Sequence, residues 1–126
     1  MSTRPRKDLA GSRILLVGIA YKKNVDDLRE SPSLRLIEKI EARGGAVDYF
    51  DPLIPIIPGT RDHGTLAGRE SIGWDTDLIF GYDAVLIATD HDVVDYQELA
   101  KVAGLVVDTR NACARAGAPL ERVVPA

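Results

Sequence analysis

The sequence predicts an α/β fold: a doubly wound, mainly parallel sheet of about five strands with flanking helices. Two observations carry that expectation. Short runs of Val, Ile and Leu recur with little polar alternation, which is how strands read when both faces are covered. Helix start and stop signals fall between those runs, and a repeated strand–helix–strand order implies right-handed crossovers between parallel neighbours.

The first run, Ile14-Leu-Leu-Val17, is wholly apolar. A helix follows from Ser31-Pro32, where a hydroxyl suits the N-cap and proline suits the first helical position, its missing N–H being unneeded there. Leu36, Ile37 and Ile40 recur at helical spacing, leaving Glu38, Lys39 and Glu41 for the wet face. Gly44 and Gly45 stop this helix, since glycine accepts the left-handed geometry at a C-terminus. The second run, Val47-Asp-Tyr-Phe50, is interrupted by Asp48 and suits a strand nearer an edge. Residues 51–74 hold three prolines and four glycines, a loop composition with room for one short strand. A weak helix is expected over 76–80, ahead of Gly81, and the third strand is Ala84-Val-Leu-Ile-Ala88. Asp95 caps a further helix with Glu98 in the capping-box position; Leu99 and Val102 face inward, and Gly104 ends it. Leu105-Val-Val107 and Arg122-Val-Val124 complete a Rossmann-like sheet. Residues 1–11 read as a tail or linker and 12–126 as one domain, a length within the usual ~100–150 residues.

Composition narrows the function classes. With 45% hydrophobic and 28% charged residues, wholesale disorder, collagen and coiled coils are excluded. No apolar stretch approaches the ~18–20 residues of a membrane-spanning helix. The basic segment 1–8 precedes no apolar core, so it does not read as a secretory signal. Cys113 is the only cysteine, which excludes an internal disulfide and a cysteine-cluster metal site. A net charge of −3 argues against a nucleic-acid coat. The expectation is one cytoplasmic domain that binds neither nucleic acid nor membrane.

The informative segment follows the first strand: Gly18-Ile-Ala-Tyr-Lys-Lys-Asn-Val-Asp-Asp-Leu-Arg-Glu-Ser-Pro32. In open α/β sheets ligands sit beyond the carboxyl ends of the strands, often against a helix N-terminus whose free N–H groups attract anions. This connection places Lys22, Lys23 and Arg29 near such a site, with Asp26, Asp27 and Glu30 as counter-charges. Only Gly18 is present, so it is neither a G-x-G-x-x-G fingerprint nor a Walker A loop, and this domain alone is not expected to bind a dinucleotide. Lysine and arginine against a helix N-terminus suit a phosphate or pyrophosphate. The competing reading is a solvated loop with local ion pairs, each contributing at most about 1 kcal/mol.

The segment resembles the hallmark stretch of the C-terminal, UDP-binding domain of the UDP-glucose/GDP-mannose dehydrogenase family, and is most similar to the bacterial branch that oxidises UDP-N-acetylhexosamines. The resemblance continues through Val47-Asp-Tyr-Phe-Asp-Pro52, Asp83-Ala-Val-Leu-Ile-Ala-Thr-Asp-His91 and Val106-Val-Asp-Thr-Arg-Asn111, in order, over nearly the whole chain after residue 11. It implies NAD-dependent enzymes that oxidise the sugar C6 alcohol twice to a carboxylate. Their full chain has an NAD-binding domain, a helical central domain bearing a catalytic cysteine, and this third domain. By motif, Tyr21 and Lys22 would contact the UDP-sugar, Lys22 as a point charge on its phosphates. Arg110 would contact it from the end of a later strand, and Arg29 would face the NAD side of the cleft between domains.

By the resemblance, the NAD fingerprint and the cysteine nucleophile would lie in segments this sequence does not contain. The chain by itself is therefore expected to oxidise nothing, and no catalytic or metal residue is assigned. Cys113 has Ala112, Ala114 and Arg115 as neighbours, which supply no base, so it reads as a small buried thiol. His91 lies between Asp90 and Asp92, but adjacent residues of an extended segment point to opposite sides; a hydrogen-bonding turn residue is expected rather than a metal ligand. His63 reads as a surface residue, Trp74 as a packing anchor, and Asp51 as a turn former with Pro52. The expected function is UDP-sugar binding on behalf of the NAD-binding and central domains, with homo-oligomerisation open. The competing expectations are a stand-alone, non-catalytic ligand-binding or assembly module and a domain for another small molecule such as coenzyme A.

Overall fold

The computed structural model describes residues 11–25, 28, 31–59 and 64–125. Five parallel strands form one sheet in the order β2-β1-β3-β4-β5: β1 (Arg13–Val17), β2 (Ala46–Phe50), β3 (Ala84–Ile87), β4 (Val106–Asp108) and β5 (Val123–Pro125). The helices are α1 (Pro32–Ala42), α2 (Thr76–Phe80), α3 (Tyr96–Val102) and α4 (Ala112–Arg115). The doubly wound, parallel arrangement read from the sequence is the one observed, and β2, the strand carrying Asp48, is an edge strand. Among the described residues no helix is long and apolar enough to cross a membrane.

The apolar runs fold this way because alternate side chains feed two layers. Ile14 and Leu16 of β1 pack under α1 together with Leu34, Ile37 and Ile40. Leu15 and Val17 pack on the opposite face with Ile79 of α2, Leu99 of α3 and Cys113 of α4. The sheet is thus buried on both sides, and hydrophobic burial there is the main term holding it.

Helix α1 starts as its sequence dictates. Ser31 accepts from the Ser33 N–H, Pro32 takes the first turn, and Gly44 leaves the helix at φ +89°. Its inward stripe is Ser33, Leu34, Ile37 and Ile40 rather than Leu36, which is only partly buried.

The 51–74 segment contains no strand among its described residues. It holds a single antiparallel bridge between Ile56 and Glu70, because Pro55 and Pro58 flank the site and cannot donate to a ladder. Its order comes from elsewhere: Ile54, Ile57 and Leu66 are buried in the α1 layer, and Arg69 grips Glu41 of α1 through two bonds of 2.6 and 2.7 Å.

Only half of the capping box at α3 forms. Asp95 accepts from the Glu98 N–H, but the Glu98 carboxylate turns to accept from the Trp74 indole, whose ring meets Phe50 edge-on at 5.2 Å. Trp74 is therefore a packing anchor.

Helix α4 is absent from the sequence reading for a local reason. Its N-cap residue, Asn111, sits at φ +59° and makes no side-chain cap. The cap comes from Asp108 in β4, whose buried carboxylate accepts the Ala112 and Cys113 N–H groups at 3.1 and 2.9 Å.

Two outcomes test this packing. Gly18 has φ +79°, and a Cβ built there lies 2.1 Å from the Thr89 carbonyl oxygen. Gly18→Ala should lower stability by about 3 kcal/mol or more in urea titration; an unchanged midpoint contradicts that close approach. Burial, with Asp108 beside it, pushes the Cys113 thiol up from 9.0 to about 11. The stability this thiol contributes is therefore complete below pH 9 and declines as pH rises towards 11, because unfolding releases the proton more easily. At pH 8 an aromatic disulfide reagent should modify Cys113 slowly in native protein and fast in urea; equal rates contradict the burial.

Candidate functional site

The strand order changes direction around β1, whose neighbours are β2 on one side and β3 on the other. Loops leaving the carboxyl ends on either side of such a point diverge and open a crevice. The β1–α1 connection lies there, and each described turn of it is tied to a neighbour. The Gly18 N–H donates to the Phe50 carbonyl at 2.9 Å, and the Ile19 N–H donates to Asp51 Oδ2 at 2.8 Å. The Ser31 hydroxyl donates to the Ile19 carbonyl at 2.6 Å, and the Thr89 hydroxyl donates to the Ala20 carbonyl at 2.7 Å. Asn24, at φ +63°, donates its backbone N–H to His91 Nδ1 at 2.7 Å and exchanges two side-chain bonds with Asp92. Lys23 adds an exposed ion pair with Asp92 at 3.5 Å. Between these ties Tyr21 and Lys22 stand exposed at the crest, Tyr21 at 47%.

A cleft of about 350 Å³ opens beside that crest. Ala20 and Tyr21 beyond β1, Ala88 and Thr89 beyond β3, and Thr109 and Arg110 beyond β4 supply one side. Pro32, Arg35, Leu36 and Lys39 of α1 supply the other, and Leu86 lies with them along the floor. Its charged lining is Arg35, Lys39 and Arg110, with no carboxylate among the described residues. Arg110 is held by its Nε, which donates to the Ala88 carbonyl at 3.0 Å, so its Nη groups have no acceptor among the described residues. The loop beneath it is fixed twice: the Arg110 N–H donates to Asp108 at 3.0 Å, and Arg115, itself paired with Asp90, donates to the Arg110 carbonyl. Cations over an apolar floor suit an anion carrying a flat apolar group.

Of the residues singled out from sequence, Tyr21 and Arg110 share this cleft. Lys22 is exposed on the same loop, next to Tyr21 but outside the lining. It projects from the same carboxyl edge of the sheet as Arg110, the one following β1 and the other β4. Arg29 lies outside the described residues, as do Asp26, Asp27, Glu30 and His63.

Sequence reasoning missed Arg35 and Lys39, and assigned Lys39 only to the wet face. Their signal is a second stripe on α1, Pro32, Arg35, Leu36 and Lys39, whose i, i+3, i+4, i+7 spacing puts them on one side of the helix. It also missed the pairing of Asp51 with His91. Both are buried, at 1% and 0% exposure, with His91 Nε2 at 2.9 Å from Asp51 Oδ2. Asp51 does form the expected turn, accepting the Leu53 N–H at 2.9 Å, but its second oxygen serves the crest loop and the histidine. Both His91 nitrogens are taken by protein partners, which leaves neither for a metal.

Comparison with known proteins gives the chain its relatives. Residues 15–115 match the UDP binding domain of the UDP-glucose/GDP-mannose dehydrogenase family. UDP-glucose 6-dehydrogenase TuaD of Bacillus subtilis is 33% identical over 109 residues, covering 80% of this chain and 22% of that protein. UDP-N-acetyl-D-mannosamine dehydrogenase of Pyrococcus horikoshii is 31% identical over 103 residues, covering 78% of this chain and 21% of that protein. The solved structure of the UDP-D-ManNAc dehydrogenase of Pyrococcus horikoshii superposes with a TM-score of 0.59 at 28% identity, over 80% of this chain and 22% of that one. The NDP-N-acetyl-D-galactosaminuronic acid dehydrogenase of Methanosarcina mazei shares the fold, with a TM-score of 0.68 at 21% identity over 95% of this chain and 25% of that one. The chain thus spans about a quarter or less of the length of these relatives. Matched over most of its length, and carrying that domain's parallel sheet, the chain belongs to the UDP-glucose/GDP-mannose dehydrogenase family as its UDP binding domain.

Proposed function

We propose that the cleft holds the UDP portion of a nucleotide sugar on behalf of an NAD-dependent dehydrogenase that oxidises the sugar C6 alcohol to a carboxylate. The observation that carries this reading is the cleft's one-sided charge: Arg35, Lys39 and Arg110 converge on an apolar floor with no opposing carboxylate among the described lining. Arg110, held through Nε, presents its remaining donors to a phosphate. Tyr21 offers an exposed ring beside it, and Lys22 would add an exposed point charge from the crest. By the family resemblance, Arg29 would face the NAD side of the cleft between domains.

The domain's own residues do not fit a dinucleotide. Gly18 is the only glycine of a phosphate fingerprint, and Asp51, where a ribose hydroxyl would be read, is buried against Ile19 and His91. On this reading NAD and the reacting thiol would belong to NAD-binding and central domains of a longer enzyme, with which this domain would be partnered. Its contribution is to bind and orient: energy gained on the nucleotide end fixes the sugar against chemistry supplied elsewhere.

UDP at millimolar concentration should raise the thermal midpoint of the isolated chain, since a ligand of the folded state stabilises it by mass action. No shift would favour a non-catalytic assembly module. Arg110→Ala should weaken UDP about 10–150-fold, the range of a lost charge-assisted hydrogen bond of roughly 1.5–3 kcal/mol. Lys22→Ala should fall in the same range by titration calorimetry; unchanged affinity would remove Lys22 while leaving Arg110 in place.

A further inference from the structure

We infer that His91 is a positioning residue for nucleotide binding, acting as a buried two-way connector that holds the crest loop from within. The inference rests on the proposed reading that Tyr21 and Lys22 meet the nucleotide. The imidazole is 0% exposed and touches solvent nowhere, so it has no direct contact to offer a ligand. Its two nitrogens nevertheless do different work. The Asn24 N–H points at Nδ1, 2.7 Å away, so Nδ1 carries the lone pair; Nε2 then carries the proton and donates to Asp51 Oδ2 at 2.9 Å. The same Asp51 oxygen accepts the Ile19 N–H. A continuous relay therefore runs Asn24, His91, Asp51, Ile19, and it grips residues 19–24 at both ends.

The grip matters because the loop does not hold itself. Asn24 sits at φ +63°, a left-handed conformation that few non-glycine residues adopt and that its surroundings help to hold. Above it, Asn24 and Lys23 also bond to Asp92, but all three are exposed, and such surface ties contribute little. The buried part of the grip is the imidazole, itself set by its backbone: its carbonyl accepts from the Tyr96 hydroxyl at 2.8 Å, and its neighbour Thr89 donates to the Ala20 carbonyl. An apolar side chain would fill the same volume and leave the Asn24 N–H and an Asp51 lone pair unsatisfied, the expensive way to lose a hydrogen bond. Phenylalanine or leucine would thus keep the core and release the crest.

Two conservative variants separate positioning from mere packing. In His91→Asn the side-chain oxygen falls where Nδ1 lies, so the bond from Asn24 survives and the one to Asp51 is lost. In His91→Gln the amide nitrogen falls where Nε2 lies, and the losses are reversed. Both should lower the thermal midpoint to a similar degree. His91→Asn should keep slow hydrogen exchange at the Asn24 amide and UDP affinity within about threefold of the parent; His91→Gln should lose the protection and bind UDP at least about tenfold more weakly. Equal losses in the two variants, or affinity that tracks midpoint alone, overturn the inference. Should the parent chain not bind UDP at all, the reading of the cleft fails, while Asn24 exchange still decides the grip: protection retained in His91→Gln overturns it. If neither variant folds, the imidazole nitrogen spectrum of the parent chain decides. A proton on Nε2 with an unprotonated Nδ1 supports the relay, and a proton on Nδ1 overturns it.

Discussion

A carboxylate that is 1% exposed must be satisfied on all sides, and the way Asp51 is satisfied organises this domain. It stands at the end of β2 and takes N–H donors from its own turn at Leu53, from Ile19 beyond β1, and from His91 beyond β3. Three segments far apart in the chain thus meet on one pair of oxygens at the carboxyl edge of the sheet. Remove that acceptor and two backbone amides and a buried imidazole lose their partner together. The crest loop would then rest on Thr89, Ser31 and an exposed pair at Asp92.

The cleft beside the crest inherits this rigidity. Its arginine at 110 is steered by Asp108 beneath the backbone and by the Ala88 carbonyl at Nε, so the guanidinium is placed before any ligand arrives. Preplaced charge loses less side-chain entropy on binding than a free arginine would. Lys22 contrasts with it: the residue is exposed and lies outside the cleft lining. On the proposed reading, the held guanidinium would set where a phosphate sits and the exposed ammonium would add attraction without geometry. The buried acids and the cationic cleft are kept apart by the loops themselves. Asp51 spends its oxygens on backbone N–H groups and the His91 imidazole, Asp108 on backbone N–H groups, and Asp90 on Arg115.

The polar features of the sequence were legible in proportion to how local they are. Ser31, Pro32 and Gly44 act on their own helix, and the boundaries they imply are the boundaries observed. Asp95 likewise caps the turn that follows it, yet Glu98, whose spacing suits the reciprocal bond, turns to Trp74 because a half-buried indole N–H has greater need of an acceptor than an exposed helix end. Helix α4 escaped for the converse reason, its cap arriving from Asp108 while Asn111 contributes none. Lys39 looked like solvent-facing charge because periodicity separates an inward stripe from the rest and says nothing of a second face turned towards a cleft. The family likeness assigned Tyr21, Lys22 and Arg110 to one ligand; that Tyr21 and Arg110 line one cleft while Lys22 lies outside its lining is a tertiary result.

What the sequence by itself determined is the alternation of apolar runs and capped helices, and hence a parallel sheet buried on both faces, because hydrophobic period and capping chemistry act within a few residues. The tertiary structure alone decided the strand order, the partnering of Asp51 with His91 and the convergence of Arg35, Lys39 and Arg110. Those depend on which carboxyl ends become neighbours once crossovers close, and a buried polar atom takes whatever partner that closure brings within about 3 Å.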